Sequence, residues 1–400
     1  MNKSPQVAVV ILNWNGLNFL KQNLVSVLDQ EYPSFKIVVV DNGSEDGSVK
    51  FLERIKKHDK RLEIIKLKTN SGYVQGNNTG LEKILKNKKF EFAVLLNNDV
   101  KVGKGWLNSL IAGFAERDIG ICTSKILLYH PYQQIVIIPR EDSVLESIQI
   151  GDLRYHSLEY TDGFDKKGSL VELPKSLEKL KIYSFAVPFD RENAEKLQVT
   201  LSNGGIKVFS GSIKKELKGP GSVKINVSGG NVIQNAGSDF LCKEMTFVDR
   251  NIFEFDRELP SMLVDAGCGA SMAIRTDLLR RVGLLKNSYF MYNEDTEISF
   301  RLARVGYKTK FVANSVCYHY FWGSSGGQVT ERQTFYGTRN RLWFVREYFG
   351  VLKYLYFFAR TFGRSVIWGM KSLTGDKKAK MFSENYFRAL ISSIGSYEKQ

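Results

Sequence analysis

Within the first hundred residues the hydrophobic pattern changes period repeatedly, and that alternation admits few architectures. Val7 to Leu12 is a continuous apolar run, Leu17, Leu20, Leu24, Val27 and Leu28 recur at helical spacing, and Phe35 to Val40 is apolar again and rich in β-branched residues. The pattern continues with a helical stretch after Gly47, a strand near Leu62 to Leu67, a helix after Gly76 and a strand from Phe90 to Leu96. Such alternation predicts an α/β domain, Rossmann-like, with a mostly parallel sheet flanked by helices. In these folds ligands bind beyond the carboxyl ends of the strands. Here those ends read NWNG (13–16), DNGSEDGS (41–48), TNSGYVQGNN (69–78) and NNDV (97–100). Turn and cap chemistry explains any one of these polar loops; four on one sheet edge point to a ligand cleft.

The texture changes from about Tyr129 to Gly230. Leu197, Val199 and Leu201, and again Val223, Ile225 and Val227, alternate with polar residues, and SNGG (202–205) and KGPGS (218–222) are turn signals. This predicts a small antiparallel β domain inserted into the α/β domain. The glycine-rich stretch VDAGCGASMAIRTDLLRRVG (264–283) then leads to a strand and a helix. In FMYNEDTEISFRLARVGYKTKFVANSVCYHY (290–320) an acidic cluster opens a helix that ends near Gly306, and a strand from Lys310 to Tyr318 runs up to His319. The expected organisation is 1–128 and 231–345 as two halves of one domain, 129–230 as the insert, and 346–400 as a helical tail.

A chain of 400 residues with 43% hydrophobic content can bury a sizeable core. Its four cysteines form no CxxC pair, which suggests neither a zinc site nor a disulfide framework and fits a reducing compartment. The first residues read as a strand and not as a signal peptide, and no apolar run is long enough to span a bilayer. The expectation is a cytoplasmic protein, peripheral on the inner face of the cell membrane. From Arg332 onward thirteen Lys or Arg face four Asp or Glu, so the tail carries nine of the fifteen net positive charges. A basic, aromatic tail suits nucleic acid or an anionic membrane surface. No RNP motif, zinc-finger spacing or helix-turn-helix supports nucleic acid, and no GxGxxG supports a dinucleotide oxidoreductase. A helix over Val351 to Lys371 would set Lys353, Arg360, Arg364 and Lys371 on one stripe and Val351, Leu355, Phe358, Phe362 and Val366 on the opposite face. That is an interfacial pattern, although packing against the catalytic domain would use the apolar face equally well.

In series, VVILNWNG, VVVDNGSEDGS, NSGYVQGNNTG, LLNNDV, AGCGASMAIR, FMYNEDTEISFRL and RNRL resemble the family 2 inverting glycosyltransferases of GT-A fold. The likeness is greatest to the branch with rhamnosyl- and galactofuranosyl-type transferases. It covers residue 5 to about 128 and about 232 to 350. The resemblance implies a sugar moved from a dTDP- or UDP-sugar to a glycan or lipid-linked acceptor in cell-surface polysaccharide synthesis, with Mg2+ or Mn2+ as cofactor. A scaffold that only binds sugars through its β insert is the alternative, and joint retention of Asp99, Asp295 and His319 argues against it.

The resemblance also assigns residues. Asp99 stands where the metal-binding DxD-type motif ends, with Asn97 in place of its first Asp, and His319 stands where relatives place a histidine able to join the metal. Asp295 matches the general base, which has only to take the acceptor hydroxyl's proton late in the displacement. Asp41 matches the nucleobase-binding carboxylate, with Asn13, Asn15, Asn70, Gly72, Asn77, Asn97 and Asn98 as further donor-binding residues. Gly267 and Gly269 would let backbone approach the sugar, and Trp322 is placed with them at the acceptor or sugar. Glu294 and Glu297 are expected to bind acceptor or sugar hydroxyls or to cap their helix. Arg339 and Arg341 are expected to close over the diphosphate, a solvated basic helix face being the competing reading.

Overall fold

The computed structural model describes residues 4–158, 160–165, 170–189, 196–210, 212–227, 229–320 and 330–395. The alternation of the first hundred residues becomes β1 (Gln6–Asn13), α1 (Leu17–Leu28), β2 (Phe35–Asp41), α2 (Ser48–His58), β3 (Leu62–Lys66), α3 (Tyr73–Leu85) and β4 (Phe90–Asn97). The chain continues through β5 (Val100–Val102), α4 (Trp106–Ala112) and β6 (Ile119–Leu128), and returns from the insert as β7 (Ile233–Asn235), β8 (Met262–Val264) and β9 (Ser271–Arg275). After α5 (Thr276–Val282) and α6 (Glu294–Ala303), β10 (Lys308–His319) completes a ten-stranded sheet of order β8-β10-β6-β9-β4-β1-β2-β3, with β7 paired to β6 and β5 to β10.

The register fixes where the strands end. β1 pairs parallel with β2 and β4, placing Asn13 beside Asp41 and Leu12 beside Asn97. β9 lies antiparallel to both β4 and β6, so its start, not its end, reaches the same edge. β10 runs parallel to β6 and brings His319 to that edge, opposite Val100 of β5. The expected α/β sheet with flanking helices is therefore present; its all-parallel part is β1 to β4, and β9 makes the sheet mixed. Two apolar layers cover its faces, one with Trp106, Leu107 and Leu110, the other with Val74, Leu81 and Ile298.

The insert is two antiparallel sheets of six and five strands, between which Ile137, Ile148, Leu197, Val199 and Val208 are buried. Alternate residues face inward, the pattern of a β sandwich. Where the chain enters and leaves, Tyr132 and Gly230 exchange backbone hydrogen bonds of 2.8 and 3.0 Å.

The tail folds as α7 (Glu331–Phe349), α8 (Val351–Ser372) and α9 (Lys377–Ile394). α8 buries Tyr354, Phe357 and Ser365, whereas Val351, Leu355, Phe362 and Val366 of the expected apolar face are exposed. Phe358 of that face packs against the tail core, and packing does not account for the other four. No helix among the described residues is long and apolar enough to cross a membrane.

One helix starts earlier than expected: α3 begins at Tyr73, and Gly76 lies inside it. Gly72, at φ +89°, supplies the entry turn, and Gly76 and Gly80 let the helix press against β1. A Cβ on Gly80 would sit 2.5 Å from Val10 Cγ1, a branched side chain with little room to yield. Gly80→Val should therefore cost about 2 kcal/mol by overpacking. An unchanged urea midpoint would show that α3 does not seat this closely.

Candidate active site

The strand ends are joined by one buried amide. Asn13 is fully buried; its Nδ2 donates to Asp41 Oδ2 at 3.0 Å and Ser44 Oγ at 3.2 Å, and its Oδ1 accepts from Asn98 Nδ2 at 2.8 Å. Asp41 Oδ1 accepts from the Ser44 backbone N–H at 3.0 Å, so its carboxylate is oriented from both sides. Asn15, at φ +47°, holds the same loop by accepting from the Glu45 backbone N–H. In the next loop Asn70 Oδ1 accepts from Asn42 Nδ2 and from the Gly72 N–H, both at 2.9 Å. A Cβ on Gly72 would run into the Phe290 ring, 2.5 Å away. Asn13, Asn15, Asp41, Asn70, Gly72 and Asn98 therefore share one edge, with Asn98 acting as a brace to β1. Trp14, between the two asparagines, exposes 46% of its surface at that edge; its signal in the sequence was the lone indole inside NWNG.

Beyond β4 the chain turns sharply at Asn98 and Asp99 before β5. Asp99 Oδ1 lies 3.1 Å from His319 Nε2, and this buried oxygen has no hydrogen-bond donor. The other imidazole nitrogen, Nδ1, is 2.7 Å from Gln234 Oε1. An amide oxygen only accepts, so that bond takes a proton on Nδ1 and aims Nε2 at the carboxylate. Neighbouring ligands of a six-coordinate Mg2+ or Mn2+ stand roughly 3 Å apart, because each sits about 2.1 Å from the ion at right angles. The donor set and its outer hydrogen bond therefore fit a hard divalent cation. Among the described residues no group of three or more His, Cys, Asp or Glu could hold a metal, so the remaining positions would fall to phosphate oxygens and water. Gln234 is invisible in the sequence because it reaches His319 only through the return strand β7.

Asp295 lies in the first turn of α6. Its Oδ2 accepts from the Gly269 N–H at 2.8 Å and its Oδ1 from the Thr296 N–H at 2.7 Å. Burial pushes its pKa above the ordinary value while those backbone donors oppose the rise. Adjacent Glu294 is raised further, first by burial and then by the Asp295 charge, and its Oε2 has no partner. Of the pair, Glu294 is raised the further, which makes Asp295 the stronger acid. The Tyr73 hydroxyl donates to Asn97 Oδ1 at 3.0 Å and lies 3.3 Å from the Gly269 carbonyl. This phenol joins the end of β4 to the Gly269–Asp295 contact, so the neighbourhoods of Asp99 and Asp295 adjoin across Tyr73. Burial raises the Tyr73 pKa, and Glu294, Asp295 and, more weakly, Asp99 add to it.

The loop before α6 holds three non-glycine residues at positive φ, Phe290, Tyr292 and Asn293. Asn340 Nδ2 reaches the carbonyls of Tyr289, Met291 and Tyr292 at 2.8 to 3.0 Å, and Arg339 Nη2 donates to Ser288 and Tyr289. The RNRL motif is thus a splint for a strained loop, and Arg339, buried with its guanidinium 4.1 Å from the Trp343 ring centroid, does not face a diphosphate. Arg341 also departs from expectation: it donates to the Met245 and Glu244 carbonyls and faces the tail helices.

Glu297 is fully buried, paired with Arg301 at 2.7 Å and Lys286 at 3.3 Å and bonded by the Tyr348 hydroxyl, so both carboxylate oxygens are engaged inside the protein. Gly267 is enclosed by Met272 and Thr123 and donates to Ser299 Oγ, whereas Gly269 lies against Tyr73 and Asp295. Asn77 is buried and donates to the Tyr73 carbonyl within α3. Trp322 lies outside the described residues. Charge and residue type could not reveal these directions, because the same arginine or glutamate suits a ligand cleft or an internal ion pair.

Residues 8–132 match the family model of glycosyl transferase family 2. An uncharacterized glycosyltransferase of Haemophilus influenzae is 35% identical over 81 residues, 20% of this chain and 25% of that protein. The putative teichuronic acid biosynthesis glycosyltransferase TuaG of Bacillus subtilis is 29% identical over 116 residues, 29% of this chain and 44% of its own. The chain thus spans between a quarter and under half of these relatives' lengths. A mannosyltransferase from Pyrobaculum calidifontis, solved with GDP-Man and Mn2+, is similar over 98% of this chain and 88% of its own at 11% identity and a TM-score of 0.47.

The assignment of Glu297 to the core has a direct test. Glu297→Gln removes the anion shared by Lys286 and Arg301 and should cost about 3 kcal/mol of stability. A urea midpoint equal to that of the unaltered chain would return Glu297 to the list of ligand-binding candidates.

Proposed function

We propose that the chain is a metal-dependent inverting glycosyltransferase that moves a sugar from a dTDP- or UDP-sugar to a glycan or lipid-linked acceptor in cell-surface polysaccharide synthesis. The observation that carries this reading is the Tyr73 phenol, which links the strand end beside Asp99 and His319 to the Gly269–Asp295 contact. A rhamnose-type sugar is suggested by the motif series alone. Asn13 and Ser44 orient the Asp41 carboxylate to accept from a pyrimidine ring N3–H, which uracil and thymine share. Asp99 and His319 would hold Mg2+ or Mn2+. That cation supplies positive charge to the leaving diphosphate.

The acceptor hydroxyl attacks the anomeric carbon from the side away from the diphosphate, its oxygen forms the new bond, and the bond to the phosphate oxygen breaks. The proton passes to the Asp295 carboxylate, which the Gly269 and Thr296 N–H groups hold in place. Glu294, whose Oε2 has no partner among the described residues, is suited to hydrogen-bond a sugar or acceptor hydroxyl. The exposed apolar face of α8 with its basic edge attaches the protein reversibly to an anionic membrane surface, where lipid-linked acceptors reside.

Asp295→Asn should reduce transfer by about a thousandfold or more, within the range of a lost general base, with donor binding retained. The same substitution should raise stability at neutral pH. A carboxyl whose folded pKa is raised stabilises below its unfolded value, and that contribution is lost as pH rises through the folded value. Transfer that survives the substitution would remove Asp295 as the base. In the unaltered protein kcat/KM should rise with pH through a midpoint above the ordinary aspartate range, and Glu294→Gln should leave that midpoint nearly unmoved.

Asp99→Ala should weaken Mn2+-dependent donor binding about tenfold or more, by loss of one of two protein ligands. Metal-dependent binding equal to that of the unaltered chain would remove Asp99 as a ligand.

A further inference from the structure

A cavity of about 250 Å3 lies among α7, α8 and α9, lined by none of the strand-end residues. Its polar lining includes Thr338, Arg341, Thr361, Arg364 and Tyr386. Arg360 stands nearby and pairs with Glu244 at 2.8 Å. Burial, then Arg364 and Arg360, hold the Arg341 guanidinium below its ordinary pKa, so the three cations are close enough to repel. Arg341 is bonded to backbone carbonyls, and among the described residues no carboxylate pairs with Arg364. One carboxylate therefore faces three guanidiniums, leaving two positive charges beside a hydroxyl-lined cavity. Guanidinium forks and hydroxyls are the groups that bind phosphate oxygens.

The surroundings suggest where such a phosphate comes from. On the side of α8 away from its packing partners Leu352 is 80% exposed and Ile367 62%, with Leu355, Phe362 and Val366 also exposed; Leu373, 86% exposed, follows its last turn. Phe387 and Ile391 of α9 add to this apolar exposure. Arg364 stands between that apolar arc and the cavity, on the basic edge with Lys353, Arg360 and Lys371. An apolar arc bordered by cations matches the boundary between acyl chains and anionic headgroups.

We infer that the cavity among α7, α8 and α9 is a phosphate-binding site, which takes the phosphate of a bilayer lipid while the apolar face of α8 rests in the membrane. This rests on the membrane attachment proposed above and is independent of the transfer chemistry. Arg341 and Arg364 hold the phosphate oxygens, and Thr338, Thr361 and Tyr386 supply hydroxyl donors.

The test uses the full chain, with EDTA present, and measures binding to inorganic phosphate, to phosphatidylcholine vesicles, and to phosphatidylcholine vesicles containing phosphatidic acid. Arg364→Gln is compared with Lys377→Gln, which removes the same charge at an exposed site outside the cavity. Arg364→Gln should weaken binding to the phosphatidic acid vesicles about tenfold, the loss of one charge-assisted hydrogen-bond donor, and Lys377→Gln less than about twofold. Equal losses for the two variants would mean surface charge alone and would overturn the site.

The paired change Leu352→Asn with Phe362→Asn should abolish vesicle binding and spare inorganic phosphate binding. If the unaltered chain ignores every vesicle yet binds inorganic phosphate through Arg364, the membrane attachment fails, the site stands, and its ligand is a free phosphate. If it binds neither inorganic phosphate nor phosphatidic acid vesicles in an Arg364-dependent way, the site is refuted.

Discussion

Asn13 is sealed from water, so each polar atom of its side chain must find a partner in the protein. It finds them on β2, on the loop beyond β2, and on the turn after β4. An unsatisfied amide at this depth would cost about 1 to 3 kcal/mol, so the three strand ends are held to one another as well as to their own ladders. The parallel register puts those ends level, and the Asn13 side chain aligns the loops that leave them. The turn at Asn98, and with it Asp99, is thereby set against His319 arriving on β10.

The strand-end site combines groups that work against stability. Two adjacent carboxyls, Glu294 and Asp295, sit where burial raises the pKa of each, Asp99 Oδ1 lacks a donor, and the loop before α6 holds three residues in the left-handed region. Such features persist only where the surroundings over-determine them. Here the surroundings are α7, whose Arg339 and Asn340 span the strained loop, and Glu297, which ties α6 to Lys286 and holds Arg301 of the same helix against the Val282 and Leu284 carbonyls. The charged residues of these motifs thus divide into two groups, one at the strand-end site and one holding its walls.

Much of the architecture was legible because burial imposes period. Val7 to Leu12 and Phe35 to Val40 read as strands since both faces of a central parallel strand are covered, and the insert's alternating Leu197, Val199 and Leu201 read as antiparallel since one face is wet. The start of α3 was misplaced because a glycine inside a helix looks like an interruption, and only the close approach to Val10 explains Gly80. At the site, residues at strand ends were legible from the sheet rule, whereas the directions of Glu297, Arg339 and Arg341 depend on neighbours tens of residues away. Gln234 left no local signal, since its bond to His319 crosses 85 residues. The outward turn of the α8 apolar face was equally hidden, because periodicity defines a face without saying what lies opposite it.

The claim on which the rest stands is that Asp99 and His319 form a cation site whose open side shares a recess with Asp295. Anomalous diffraction from crystals of the full chain grown with Mn2+ and UDP measures it directly. The account predicts a manganese peak within bonding distance of Asp99 Oδ1 and His319 Nε2, with Gln234 still on Nδ1 and the diphosphate extending toward Asp295. A peak bound elsewhere, or a diphosphate on the far side of the sheet from Asp295, would contradict it.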